Sequence, residues 1–428
     1  MRVALAAIER IERALSLVGS DAAAIEQDLA RLLAVDTSFP PGDGYGAFAD
    51  LAEALVAPLG FSARRVSVPE ALWSTAAGGA AGERVNLIAE RGSGLPPCSL
   101  YFHVDTVPAG AGWTMPPFAL TRAHGRLYGR GAADMKGTIA ATLAALRALN
   151  QTGSPLRFEP RLLFCTDEEG GLYPGIRYLA EQGLITGHLL SFNGGAAPRI
   201  WAGCFGSIDL LIRVHGRGAH SGDPVGGINA VEEAIPLLNA LMALKARVEA
   251  RTSPMPAPPH YQDKPLHARL TVAALHGGQK GSSLPALFEI LINRRYTPEE
   301  DFVQVRAELE ATVRDAMAAS RALGHETHMV GHLAPVSDPT GPHWPRWQAA
   351  LARGFGFRRE EFRAWGSSTS SDMGFVQQAG IQEILLGGLT RPDNNTHAPD
   401  EFTTQEDLIA LARSILLYLS RDFDEAGS

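Results

Sequence analysis

The feature of this 428-residue chain that most constrains its fold is a break in the rhythm of its elements. Through residue 205, apolar runs alternate with helical ones. VNLIAE (85–90), SLYFHVDT (99–106), RLLFCTDEE (161–169) and HLLSF (188–192) read as strands buried on both faces, with helices at 138–149 and 175–183 between them. That alternation predicts an α/β sheet of parallel strands, with reactive residues at the strand C-termini. From residue 206 the order becomes strand–helix–strand–strand–helix–strand, running from IDLLIRVHG to HETHMVGHL. This is the split ferredoxin-like pattern, a self-contained two-layer unit. The chain then returns to α/β material, with a helix at 346–355, a strand at 383–387 and a last helix at 404–420. A discontinuous α/β domain, residues 1–205 and 334–428, is therefore expected to carry an inserted α+β domain at 206–333.

Composition narrows the function class. A net charge of -8 offers no basic field for nucleic acid or an anionic membrane. Cys98, Cys165 and Cys204 lie in separate apolar segments, too scattered for a disulfide framework or a thiolate zinc site. The opening MRVALAAIERIERALS is broken at once by Glu9 and Arg10, and reads as an amphipathic helix rather than a signal peptide. No stretch reaches membrane-span length. A reducing, cytoplasmic setting is expected.

Four segments carry the chemistry. In FHVDTVP, His103 and Asp105 are two residues apart at a strand end, so they share a face and Asp105 can orient the imidazole. In YGRGAADMKG, Asp134 sits in a Gly-rich loop before a helix, where it could cap the helix or offer its carboxylate to a metal. In CTDEEGG, Glu168 and Glu169 emerge from an apolar strand. Adjacent buried carboxylates need a cation or a shared proton, and one can bind metal while the other takes a proton from water. In NNTHAPDEF, His397 lies in a polar loop. Together, His, Asp, Glu and His form a hard-to-borderline ligand set suited to zinc, manganese or cobalt.

HVDTVP, GRGAADMKG, TDEEGG and THAPDE together resemble the aminoacylase/glutamate carboxypeptidase family of metallohydrolases, which includes acetylornithine deacetylase and succinyl-diaminopimelate desuccinylase. The resemblance covers nearly the whole chain and makes the inserted unit a lid and dimerisation domain, implying a homodimer. It further implies that Asp134 bridges two divalent metals. Glu169 and His397 would complete one site, and His103 would belong to the other. Glu168 would be the general base and Asp105 would orient His103. His220, in RGAHSGDP, would reach the partner subunit's active site as an oxyanion donor, and Arg294, in INRRY, would bind a substrate carboxylate. Asp372, in SSDMGF, matches a further family segment with no role assigned.

One ligand is missing from that pattern. The family draws His103's companion acid from roughly 25 residues beyond the general base, where this chain reads SFNGGAAPRI and places Asn193 or Gly194. A neutral amide is a poor substitute for an anionic ligand, which leaves Asn193 to the substrate. One tightly held metal per chain is therefore predicted, with Asp134, Glu169 and His397 as ligands, His103 either completing that site or contacting the substrate, and a second site weak or absent. A single metal suits an activated C–N bond, and the lost acid suggests the branch of the family that hydrolytically deaminates nitroanthranilate. The expectation is a mononuclear aminohydrolase of a small carboxylate-bearing substrate. An N-acyl amino acid deacylase or dipeptidase/carboxypeptidase is the alternative, and an inactive ligand-binding relative is the remote one.

Overall fold

The computed structural model describes residues 2–75, 78–262 and 264–423. Its principal sheet has six strands in the spatial order Ser62–Val68, Arg84–Glu90, Glu159–Cys165, Pro97–His103, His188–Gly195 and Ile384–Thr390. The last four run parallel to one another. Arg84–Glu90 departs from the all-parallel expectation: it pairs antiparallel with Glu159–Cys165 and with the edge strand Ser62–Val68. The cause is local. Only residues 91–96 separate it from Pro97–His103, too short a link to return the chain to the starting end of the sheet, so the next strand must run the other way.

Glu159–Cys165 is buried at every position and Arg84–Glu90 at all but the last, so both faces of the sheet are covered. Among the helices that pack into this core are Lys136–Thr152 and Gln405–Leu419, which contact each other. A chain segment from the far end of the sequence thus completes the layer begun by the first half.

Residues 206–333 form a four-stranded antiparallel sheet in the order Arg269–Gly277, Leu287–Tyr296, Gly206–His215 and Gly324–Leu333. Helices Ile235–Glu249 and Phe302–Met317 lie between these strands in the chain. Strand order and connectivity are those of the ferredoxin-like unit. Ile208, Leu210, Ile212, Phe288, Ile290 and Ile292 alternate along two central strands and meet Leu237, Leu241, Val305 and Leu309 from the helices in a separate core. The opposite sheet face carries Asp209, Arg213, Glu289, Asn293 and Arg295, a period-two alternation.

No helix among the described residues is long and apolar enough to cross a membrane.

Candidate metal centre

The predicted ligands converge where the parallel strands end. His103 is the last residue of its strand, Glu168 and Glu169 follow Cys165, and Asn193 lies in the neighbouring strand. Asp134 sits just before the helix Lys136–Thr152, but it is not that helix's cap: Met135 holds the cap position and no side chain bonds there. Its carboxylate is free to turn into the cleft.

His103 Nε2 lies 3.1 Å from Asp134 Oδ1, and His397 Nε2 lies 3.4 Å from Asp134 Oδ2 and 3.0 Å from Glu169 Oε2. One ligand atom each from His103, Asp134 and Glu169 fall within 4.8 Å of one another. His103 is wholly buried, whereas His397 is exposed on its loop. The order in the chain is immaterial: His103 ends a strand, and Asp134, Glu169 and His397 lie in loops that the fold brings to the same place.

The electrostatics describe a site with excess negative charge. Burial pushes Glu169 up to about 7. Burial also raises Glu168 well above the ordinary carboxylate range, with Asp372, Glu169 and Asp134 adding repulsion that His103 only partly offsets. Hydrogen bonds to the carboxylates of Asp134 and then Glu169 lift His397 to about 10. Burial opposes the charge on Asp134, yet His103 and His397 hold its carboxyl below the usual range. Crowded buried carboxylates of this kind are stabilised by protons or by a cation. Asp105 Oδ1 and Asp372 Oδ1 are buried without a hydrogen-bond partner, a further sign of unmet negative charge. The imidazole and carboxylate donors fit a divalent ion such as zinc, manganese or cobalt.

Several residues differ from expectation. His103 Nδ1 meets the backbone carbonyl of Asp105 at 3.1 Å, while the nearer carboxylate oxygen is 3.7 Å away. The strand ends at His103, so the alternation that would align the two side chains stops there. Asp105 instead accepts the backbone N–H of Glu169 at 2.8 Å and so anchors the two-glutamate loop. Asn193, rather than Gly194, faces the site: its Nδ2 donates to Glu168 Oε1 at 2.6 Å. With the amide nitrogen pointed at Glu168, the amide oxygen is turned away from it.

Arg294 does not face the cluster. It is wholly buried, and its guanidinium bonds Glu300 and the Arg295 carbonyl. In strand phase it shares the helix-covered side with Ile290 and Ile292. The following residue, Arg295, reaches across to Ser370 Oγ at 2.7 Å, in the loop leading to Asp372. His220 is exposed on the inserted unit, where its Nδ1 accepts from the Gly222 backbone at 3.1 Å. Asp372 is wholly buried and accepts from the Tyr101 hydroxyl at 2.5 Å.

Sequence reading also missed Glu401. It pairs with Arg130 at 2.7 Å and accepts the N–H groups of Ala133 and Asp134 at 3.0 and 3.1 Å, fixing the Asp134 turn from beneath. Its place in THAPDEF, four residues after His397, was the available signal.

The chain is similar to known proteins in sequence and in fold. The profile described as peptidase family M20/M25/M40 matches residues 99–421. Succinyl-diaminopimelate desuccinylase of Xylella fastidiosa is 30% identical over 357 residues, 79% of this chain and 87% of that protein. In fold, the di-peptidase Dug1p of Saccharomyces cerevisiae superposes with a TM-score of 0.79 at 16% identity, covering 98% of this chain and 99% of the other. Human carnosine dipeptidase 1 superposes with a TM-score of 0.76 at 17% identity, covering 98% and 100%.

Proposed function

This chain belongs to peptidase family M20/M25/M40, metal-dependent hydrolases of amide C–N bonds, and we propose that it cleaves a small carboxylate-bearing substrate using one divalent cation. The observation that carries the reading is the buried Glu168 carboxylate, held by Asn193 beside the His103, Asp134 and Glu169 ligand atoms.

His103, Asp134, Glu169 and His397 would hold the cation. Bound there, it supplies positive charge that acidifies water and draws electrons from the bond under attack. Glu168 is the base. With Oε1 occupied by Asn193, Oε2 takes the proton from water and delivers it to the leaving nitrogen as the C–N bond breaks. Raised above its usual range by burial and neighbouring acids, this carboxyl is suited to both halves of that exchange. Arg295, at the junction with the Ser370 loop, is assigned the substrate carboxylate in place of Arg294. His220 is assigned to the oxyanion, contributed across a homodimer formed through the inserted unit.

The relative's name favours an N-acyl amino acid as substrate, and the fold neighbours add dipeptides. A second reading, hydrolytic release of ammonia from an activated aromatic amine such as 5-nitroanthranilate, is favoured by Asn193, which offers the cluster no anionic ligand. Elemental analysis of extensively dialysed protein, followed by a substrate panel, tests both. One equivalent of metal is expected. N-acyl amino acids, dipeptides and 5-nitroanthranilate are then compared, and the Glu168→Gln protein should keep its metal while kcat falls by about 10²–10⁴-fold. Two equivalents would overturn the single-cation reading, and a fully active Glu168→Gln protein would overturn the assignment of the base.

A further inference from the structure

The loop carrying Glu168 and Glu169 meets one aromatic cage at both ends, with Tyr45 and Trp73 buried and Phe39 half-buried. At its start, Asp167 has φ of 60°, a left-handed conformation that Asp tolerates better than most residues with a Cβ. Its carboxylate is buried and spans two donors: Tyr45 Oη reaches Oδ1 at 2.6 Å, and Arg84 Nε reaches Oδ2 at 2.7 Å. The Arg84 guanidinium lies over Trp73 at 4.2 Å, with the rings of Phe39 and Tyr45 each at 5.4 Å. Its Nη2 also donates to the Pro41 carbonyl at 3.1 Å. Beyond the two glutamates, the loop returns to the same cage: a Cβ on Gly170 would stand 3.0 Å from the Phe39 ring, and one on Gly171 3.3 Å from it.

We infer that Arg84, Tyr45 and Asp167 form a brace that positions Glu168 and Glu169. The inference rests on the reading of Glu169 as a metal ligand. None of the three is a catalytic residue, and their hydrogen bonds go to one another and to backbone carbonyls rather than to the ligand cluster. A buried ion pair adds little stability over a well-packed apolar pair of the same shape, so stability alone gives no reason to place one here. What it adds is direction. Two bonds to opposite oxygens fix the plane of Asp167, and with it the path of the next two residues, more tightly than packing would. Stacking on Trp73 holds the guanidinium plane in turn.

The test uses the full chain, stripped of metal with a chelator, and measures its zinc dissociation constant by competition with a chromophoric chelator, with Tm recorded on the same samples. Arg84→Met together with Asp167→Asn removes both charges at once. Met fills the cage and Asn accepts the left-handed turn, so no unpaired charge is left buried. We expect this protein to bind zinc about 10–100-fold more weakly at near wild-type Tm, the range typical of groups that orient metal ligands. Tyr45→Phe, which removes one hydrogen bond, should give an intermediate loss. A merely structural role would lower Tm and leave zinc affinity unchanged. Wild-type affinity in both variants overturns the inference, and Tyr45→Phe decides it alone where the double variant does not fold. Glu169→Gln is measured in parallel. Wild-type affinity there would refute the metal-centre reading itself, a result separable from failure of the brace.

Discussion

His188 and His332 are two imidazoles far in role from the cluster, and both are held neutral. Burial first, then the charge of His343, lowers His188 to about 3. Burial, with Arg177 and Arg306 nearby, lowers His332 to about 4. A histidine whose folded pKa lies below its unfolded value of about 6.5 takes up its proton more readily on unfolding. Its contribution to stability is complete above pH 6.5 and is lost as pH falls toward the folded value, by at most about 1.4 kcal/mol per pH unit for each proton. Tm should therefore drop between pH 7 and pH 4.5. His332→Gln, which removes the titrating ring, should flatten that drop in a thermal melt series. An unchanged slope would show that His332 is not among the groups responsible. At this scale the sequence was informative where a residue's chemistry is spelled by its immediate neighbours. The carboxylate pair following RLLFC and the histidine of FHVDTVP, taken with the other motifs, pointed to residues that the structure brings together. The partner chosen by Asp105, and the direction in which the Asn193 amide points, depend on where a strand ends in space. Neither could be read from spacing.

Strand phase decides between neighbouring arginines. INRRY offers two candidates, and the motif alone does not say which side of the strand the helices cover. Packing of Ile235–Glu249 and Phe302–Met317 against Ile290 and Ile292 places Arg294 on the covered side and Arg295 on the open one. Two substitutions should therefore separate cleanly. Arg294→Met should lower stability by about 1.5–3 kcal/mol in denaturant unfolding, through the lost charged bond to Glu300, with little change in KM. Arg295→Met should leave stability nearly unchanged and raise KM for carboxylate-bearing substrates about tenfold or more. The reverse pattern would return the role to Arg294. The direction of Arg84–Glu90 teaches the same lesson. Its apolar run announced a buried strand, but antiparallel pairing followed from the short link to Pro97, which apolar patterning does not encode.

For the molecule as a whole, the candidate metal centre would also be a fastening. His103, Asp134 and Glu169 come from the chain before the inserted unit, and His397 comes from the chain after it. A cation held by all four would join two stretches separated by residues 206–333. Because an ion that binds only the folded state stabilises it by mass action, chelation should lower Tm, and restoring zinc or manganese should recover it. A Tm indifferent to chelator would mean that the cluster binds no ion of consequence. The sequence by itself determined the interrupted α/β plan and the ferredoxin-like insertion, because hydrophobic period is a local property of the chain, and its strand-end motifs pointed to the His103, Asp134 and Glu169 cluster through their resemblance to a family. Only the tertiary structure decided that Arg294 lies on the helix-covered side of its strand, that Asn193 meets Glu168, that Glu401 underpins Asp134 and that Arg84, among aromatic rings, pairs with Asp167. Those contacts join segments dozens to hundreds of residues apart, and their geometry exists only once the layers have packed.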